Sequence, residues 1–212
     1  MFQSSKVFAV FFALACLFSG LALAQDLSSN PAYTSNIGEI YNNPTSPTFG
    51  DPNGDVTIVE YFDYNCGYCK ASEEGLERLM KEDKRVKVIF KDFPKLGPLS
   101  MTAASAAMAA ALQDSYKYEW MHNILMNKAV MLSNETIVQA ATVAGLDVDR
   151  IRQDMSNPAI AAQLQKNIDI GKGIGVRVTP SFIVGPYFMP GFADYDKLKQ
   201  AVAYVRAAHK AR

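Results

Sequence analysis

Hydrophobic and polar positions divide this chain into a few strands separated by a long helical stretch. Val56-Thr57-Ile58-Val59-Glu60-Tyr61-Phe62 is dense in β-branched and aromatic residues and predicts a central strand. Val86 to Phe90 predicts a second strand, and Thr48-Phe49 a short edge strand. Ser181 to Val184, the turn Gly185-Pro186 and the run Tyr187 to Met189 predict a hairpin. Between the two main strands, Gly67 to about Lys81 carries an apolar stripe of Leu76, Leu79 and Met80. Glu73 and Glu74 stand early in it and Arg78 and Lys81 late, the order that a helix dipole favours.

From about Ser100 to Ile170 every signal is helical. Ser100 is expected to cap an alanine-rich run, Met101 to Leu112, whose small side chains suit a closely packed, buried helix. Tyr116 to Met126 follows, then Asn134 to Ala144 with Gly145 as its stop, then Val148 to Met155. Asn157-Pro158 is a cap and first-turn pair that opens a fifth helix towards Ile170, with Gly171 to Gly175 read as its stop. A final amphipathic helix runs from Asp194 or Tyr195 to His209 with Leu198, Val202 and Val205 on one side. Gln25 to Pro44 is polar, with one or two helical turns within Ser35 to Tyr41.

The order is strand, helix, strand, a helical block, then strand, strand, helix. It predicts an α/β unit interrupted by an inserted all-helical domain. The expected division is 25–47 for an N-terminal extension, 48–93 with 173–212 for the α/β domain, and 94–172 for the insert. Residues 1–24 are set apart: Lys6, an apolar stretch from Val7 to Phe18, and Ala22-Leu23-Ala24 predict a cleavable export signal cut before Gln25, with an N-terminal membrane anchor and a lipoprotein-type cut at Cys16 as the weaker alternatives.

Hydrophobic residues make up 49% and charged residues 20%, which excludes a disordered chain. The formal net charge of zero gives no basic surface for nucleic acid or anionic lipid. Removing the leader removes Cys16, so Cys66 and Cys69 remain as the only cysteines, in an oxidising compartment.

Cys66-Gly67-Tyr68-Cys69 stands where the first strand gives way to a helix. A sulfur at a helix N-terminus meets unpaired N–H groups and the positive end of the dipole, which favours its thiolate. The second sulfur lies one turn further in. Such a pair carries out thiol–disulfide exchange, the outer sulfur attacking or being attacked and the inner one resolving the mixed disulfide. Two other uses are weaker. A structural disulfide closing so small a ring adds only about 2 kcal/mol. A zinc site needs two more ligands, and the mature chain offers only His122 and His209 besides the pair. Neither a metal nor a cofactor is called for.

Val178-Thr179-Pro180, just ahead of the strand Ser181 to Val184, is the second candidate feature. Proline can open a strand simply because it lacks a donor. The functional alternative is a cis bond facing the dithiol, which exposes the Thr179 backbone to an extended substrate segment. Glu60, six residues before Cys66 in an apolar strand, is a candidate buried acid relaying a proton to or from Cys69, paired with Lys91; a solvent-facing strand end is the alternative. His122 reads as a structural helix residue. Met121, Met126 and Met131 read as core filling, with a peptide groove as the alternative.

Three stretches together resemble the DsbA-type branch of the thioredoxin superfamily: Val59 to Cys69, Phe90-Lys91-Asp92-Phe93-Pro94, and Val176-Arg177-Val178-Thr179-Pro180-Ser181-Phe182. The resemblance implies a thioredoxin fold with an inserted helical domain and an exported thiol:disulfide oxidoreductase of the bacterial periplasm. It implies Cys66 as nucleophile, Cys69 as resolving cysteine, Pro180 in cis, and Tyr68, Thr179 and Pro180 as substrate-contacting residues. Gly67-Tyr68 and Thr179-Pro180 are similar to those of the disulfide-isomerase relatives, whereas the chain has no room for their dimerisation domain. The expected activity is therefore oxidation of cysteine pairs in exported proteins by a monomer, reoxidised by a DsbB-like membrane partner. The rivals are an isomerase or reductase served by a DsbD-like partner, and a chaperone or binding module whose disulfide is only structural.

Overall fold

The computed structural model describes residues 24–211. The export signal expected over residues 1–24 lies outside the described residues, Ala24 excepted. One six-stranded sheet organises the chain, in the order β1-β6-β5-β3-β4-β2. Its strands are β1 (Gln25–Asp26), β2 (Thr48–Gly50), β3 (Val56–Phe62), β4 (Val86–Asp92), β5 (Ser181–Val184) and β6 (Tyr187–Pro190). β3 pairs in parallel with β4, from Val56 opposite Val86 to Phe62 opposite Asp92. On its other side β3 pairs antiparallel with β5, and β5 with β6. β1, not anticipated from its polar sequence, adds to the β6 edge through Gln25 opposite Phe188.

Both central strands are buried almost end to end, which is why they read as near-continuous apolar runs. Successive side chains still point to opposite faces. One face carries Val56, Ile58 and Phe62 and packs against Leu76 and Leu79 of α3 (Gly67–Glu82), the helical block, and Leu198 and Val202 of α9 (Tyr195–Lys210). The opposite face carries Val59, Tyr61, Ile89 and Ile183. It is covered by Tyr33 and Ile40 of the N-terminal segment, where α1 (Pro31–Thr34) and α2 (Ile37–Asn42) lie, and by Ile170 and Ile174.

The helical block consists of α4 (Pro98–Gln113), α5 (Ser115–Met126), α6 (Asn134–Val143), α7 (Val148–Asp154) and α8 (Pro158–Ile174). Ala103, Ala104, Ala106, Ala107, Ala109 and Ala110 of α4 are all buried, so the alanine run is a packing surface. Its start differs from the expectation. Gly97 is the cap, with φ of 111° that favours glycine, and Pro98 fills the first position where no N–H is needed; Ser100 is a buried first-turn residue. α8 also runs four residues beyond Ile170. It ends at Gly175, whose left-handed φ of 104° turns its N–H back onto the Gly171 and Lys172 carbonyls. Gly171 is therefore helical rather than a stop: a Cβ there would sit 2.7 Å from a Phe93 ring carbon. The sequence-based boundary at 172/173 falls inside this helix. Met121 and Met126 are core residues, while Met131 is exposed. Among the described residues no helix is long and apolar enough to cross a membrane.

α3 and α9 meet where Gly75 faces the start of α9. A Cβ at Gly75 would lie 2.6 Å from the Tyr195 backbone nitrogen, whereas one at Gly38 on α2 would meet nothing within 4 Å. Gly75→Ala is expected to destabilise the fold by about 1–3 kcal/mol through overpacking. Gly38→Ala is expected to be neutral or to stabilise by up to about 1 kcal/mol, since it removes a helical glycine. Urea unfolding midpoints at constant slope check both.

Candidate active site

Strand β3 delivers the chain to the site. After Phe62, Asp63 makes the turn: its backbone carbonyl accepts the Cys66 N–H at 3.0 Å, and its side chain accepts the Asn65 N–H at 2.8 Å. The other carboxyl oxygen of Asp63 accepts the Lys95 and Leu96 N–H groups at 2.8 and 3.0 Å, tying in the loop that follows β4. The Lys95 ammonium in turn bonds the Arg177 carbonyl, ahead of Thr179-Pro180. One buried side chain thus holds the dithiol loop and the β4–α4 loop, and through Lys95 the loop before β5.

Cys66 is the N-cap of α3, with extended backbone (φ −91°, ψ 111°), and its sulfur accepts the Cys69 N–H at 3.4 Å. The sulfur lies 3.2 Å from the Thr179 carbonyl, across the gap between the loops. The Thr179–Pro180 bond is cis, and the Pro180 carbonyl accepts the Gly191 N–H at 2.8 Å. Both cysteines are free thiols in the structure, Cys69 fully enclosed and Cys66 showing a sliver of surface. Tyr68, by contrast, is 70% exposed and stands out beside the dithiol.

The two sulfurs differ sharply in acidity. The Cys66 thiol is drawn down from 9.0 to about 6, chiefly by a hydrogen bond from the Cys69 thiol. Burial opposes this, while the Thr179 side chain and the N–H groups of Cys69 and Tyr68 reinforce it. Cys69 moves the other way, its thiol form favoured first by burial and then by Cys66 and Glu60. At pH 7 about nine-tenths of Cys66 is therefore thiolate, against about 1% at the unshifted 9.0. The helix supplies this without acidic residues in its first turn. Glu73, read from the sequence only as an early acid that suits the dipole, is buried, one turn after Cys69 on the same inward stripe as Leu76.

Glu60 is wholly buried, on the β3 face that carries Ile58 and Phe62, and neither of its oxygens has a hydrogen-bond partner among the described residues. Its expected pairing with Lys91 is not found. Lys91 lies opposite Tyr61 in the register, and so on the other face of the sheet, where its ammonium bonds the Glu39 carbonyl at 2.7 Å and Ser46 Oγ at 2.6 Å. Glu60 faces Glu73 and Cys66 instead. Burial, then Glu73, then Cys66 push its carboxyl well above the ordinary carboxylate range, which favours its protonated form. Sequence reasoning missed Asp63 and Glu73 as site residues. The spacing of Glu73, four residues after Cys69, already placed it on the buried stripe.

A buried strand feeding a dithiol at a helix N-terminus, faced by a cis-proline loop from a neighbouring strand, defines a thioredoxin-fold redox site. Comparison with known proteins agrees. The family model described as Thioredoxin matches residues 42–203. A thioredoxin-like oxidoreductase from Silicibacter pomeroyi DSS-3 is 35% identical, with 80% of this chain and 97% of that one covered and a TM-score of 0.76. The thiol-disulfide exchange protein alpha-DsbA2 from Wolbachia pipientis is 27% identical, covering 85% of this chain and 97% of that one, also with a TM-score of 0.76. Disulfide bond formation protein D of Bacillus subtilis is 24% identical, with 74% of this chain and 75% of that protein covered. The chain also matches Na(+)/H(+) antiporter NhaA 3 of Salinispora tropica at 29% identity over 74% of its own length, spanning only 24% of that longer protein. The chain belongs to the thioredoxin superfamily, in its DsbA-type branch.

The lowered Cys66 value carries a sign for stability. A group whose folded value is depressed contributes stability above its unfolded value and loses it as pH falls through the folded one. Relative to Cys66→Ala, the reduced protein is expected to gain stability from about pH 6 to about pH 9. The thiolate absorbance at 240 nm should titrate with a midpoint near 6, and Cys69→Ala should raise that midpoint. A midpoint above 8 in the wild type would contradict the assignment.

Proposed function

We propose that this protein is an exported thiol:disulfide oxidoreductase that introduces disulfide bonds into other exported proteins. The observation that carries this reading is the unequal pair of sulfurs: Cys66 favoured as thiolate, Cys69 held as thiol. A group stabilised in its reduced form makes the corresponding disulfide the stronger oxidant.

In the forward step a substrate thiolate attacks Cys66 of the Cys66–Cys69 disulfide. The new bond joins substrate sulfur to Cys66, and the electron pair of the broken S–S bond goes to Cys69. Glu60, protonated beneath the pair, supplies the proton that turns the Cys69 thiolate into a thiol. A second substrate thiolate then attacks its own sulfur in the mixed disulfide, releasing the oxidised substrate and Cys66 as thiolate. Two electrons have moved from substrate to enzyme, and a quinone-linked, DsbB-like membrane partner removes them. Tyr68, Thr179 and Pro180 line the approach to Cys66 and are the substrate-contacting residues in this scheme. The α/β unit (48–93 with 173–212), carrying the extension 25–47, presents the dithiol, and the helices of 94–172 cover one face. The N-terminal leader directs the monomer to the periplasm, where its cysteine-bearing substrates are.

Gly67-Tyr68 and Thr179-Pro180 favour a second reading, in which a DsbD-like partner keeps the dithiol reduced for isomerase or reductase work. The redox state in cells decides between them. Acid trapping followed by a thiol-alkylating mass tag is expected to show Cys66 and Cys69 mainly as disulfide; a mainly reduced pool overturns the oxidase direction. Cys66→Ser should abolish oxidation of a reduced test protein, and retention of activity would leave a chaperone as the better description. Glu60→Gln should remove the pH-dependent step from disulfide exchange.

A further inference from the structure

Among the described residues, a basic side chain of the helical block, His122, faces the buried acids. His122 of α5 is completely buried. Aromatic rings surround its imidazole, with centroids of Phe90 at 4.5 Å, Phe62 at 5.2 Å, Tyr64 at 5.5 Å, Tyr118 at 5.7 Å and Phe49 at 5.8 Å. Nδ1 lies 3.0 Å from the Tyr64 hydroxyl and 3.4 Å from that of Tyr118. Nε2 points at Glu73 Oε1, 3.7 Å away, an ion-pair separation rather than a hydrogen bond. Nε2 and both Glu73 oxygens have no hydrogen-bond partner among the described residues, and neither do the two Glu60 oxygens.

These groups form a file from the dithiol to the insert: Cys69, Glu60 on β3, Glu73 on α3, His122 on α5. The other titratable groups around it are Cys66, the hydroxyls of Tyr64 and Tyr118, and Asp92 at the end of β4. The buried lysines of these elements are engaged elsewhere, Lys70 of α3 with the Val130 carbonyl and Lys91 of β4 on the far face of the sheet. Two buried carboxyls side by side cannot both ionise without a compensating cation.

We propose that His122 is a positioning residue for the thiol chemistry, sharing a proton with Glu73 and so fixing the proton that Glu60 holds for Cys69. This rests on Glu60 acting as the relay acid. At rest one proton is on Glu60 and one lies between Glu73 and His122, making the three groups neutral together. When Cys69 leaves as thiolate it takes the Glu60 proton. The second proton then moves from His122 to Glu73, so the new Glu60 carboxylate stands beside a neutral acid. No proton leaves the interior, and the single negative charge that the attacking thiolate passed to Cys69 ends on Glu60 rather than beside a second carboxylate.

The chain contains two histidines, so ¹⁵N-imidazole labelling resolves His122 from the exposed His209, which serves as internal reference. The His122 ring shifts are expected to change between the disulfide and dithiol forms, and the change should disappear in Glu60→Gln. Unchanged His122 shifts in the wild type overturn the proposal without requiring any variant to fold. Kinetics gives an independent check: a glutathione mixed disulfide at Cys66 is resolved by Cys69, with the rate followed against pH. His122→Gln, which leaves Glu73 uncompensated, should move the midpoint of the pH step upward by ~1 unit, and Glu73→Gln should move it downward by ~1 unit. In the double variant the His122 effect should vanish. A purely structural His122 would lower stability and leave the midpoint in place. If Glu60→Gln leaves the pH step intact, the relay itself fails. If Glu60→Gln abolishes the step and His122→Gln does not move it, the relay stands and the His122 proposal fails.

Discussion

A sulfur in the place of a capping oxygen is the contact on which this site depends. Most helices are capped by an oxygen acceptor from serine, threonine, aspartate or asparagine. Here Cys66 occupies that position and accepts the Cys69 N–H. The amide that needs an acceptor and the sulfur that needs a donor satisfy each other. The arrangement holds only if β3 ends at Phe62 and the chain turns at once, and the Asp63 contacts enforce that turn. Fold and reactivity are therefore set by the same few backbone bonds.

The sheet then sorts the charged residues by parity. Glu60 and Lys91 look like natural partners in the sequence, since they sit near the ends of adjacent strands. In parallel register Glu60 stands opposite Phe90 and Lys91 opposite Tyr61. An even and an odd position on paired strands cannot meet, because side chains alternate faces. The acid is left on the face of α3 and α5, where the nearby groups are another acid and a histidine. Lys91, on the other face, is pushed down to about 8 by its own burial.

Much of the fold was legible in the sequence because its signals are local. Strands β3 and β4 announce themselves by composition, the helices by capping residues and stripes, and the dithiol by spacing. The shortfalls are tertiary. β1 consists of two polar residues that pair only because the β6 edge is there to receive them. Gly171 and Gly173 read as a stop, yet α8 continues through them, and at Gly171 the missing Cβ is what leaves room for the Phe93 and Tyr61 rings. His122 carried no local signal at all: only the packing of α5 against the sheet brings it to Glu73. Glu73 was legible in principle, since its spacing from Cys69 matches the buried stripe, but its early place in the helix was already accounted for by the dipole.

The Asp63 contacts lie beneath the site and bond backbone, not recognition residues. Asp63 bonds amides of residues 65, 95 and 96, and Lys95 reaches the Arg177 carbonyl. Tyr68, Leu96 and Val178, by contrast, have exposed side chains that take no part in this scaffold. The geometry of the sulfur pair is thus mounted from below, on backbone bonds, so the exposed side chains around the dithiol can be replaced while that mounting stays in place. Thr179, which touches the Cys66 sulfur, is the exception where surface and acidity meet.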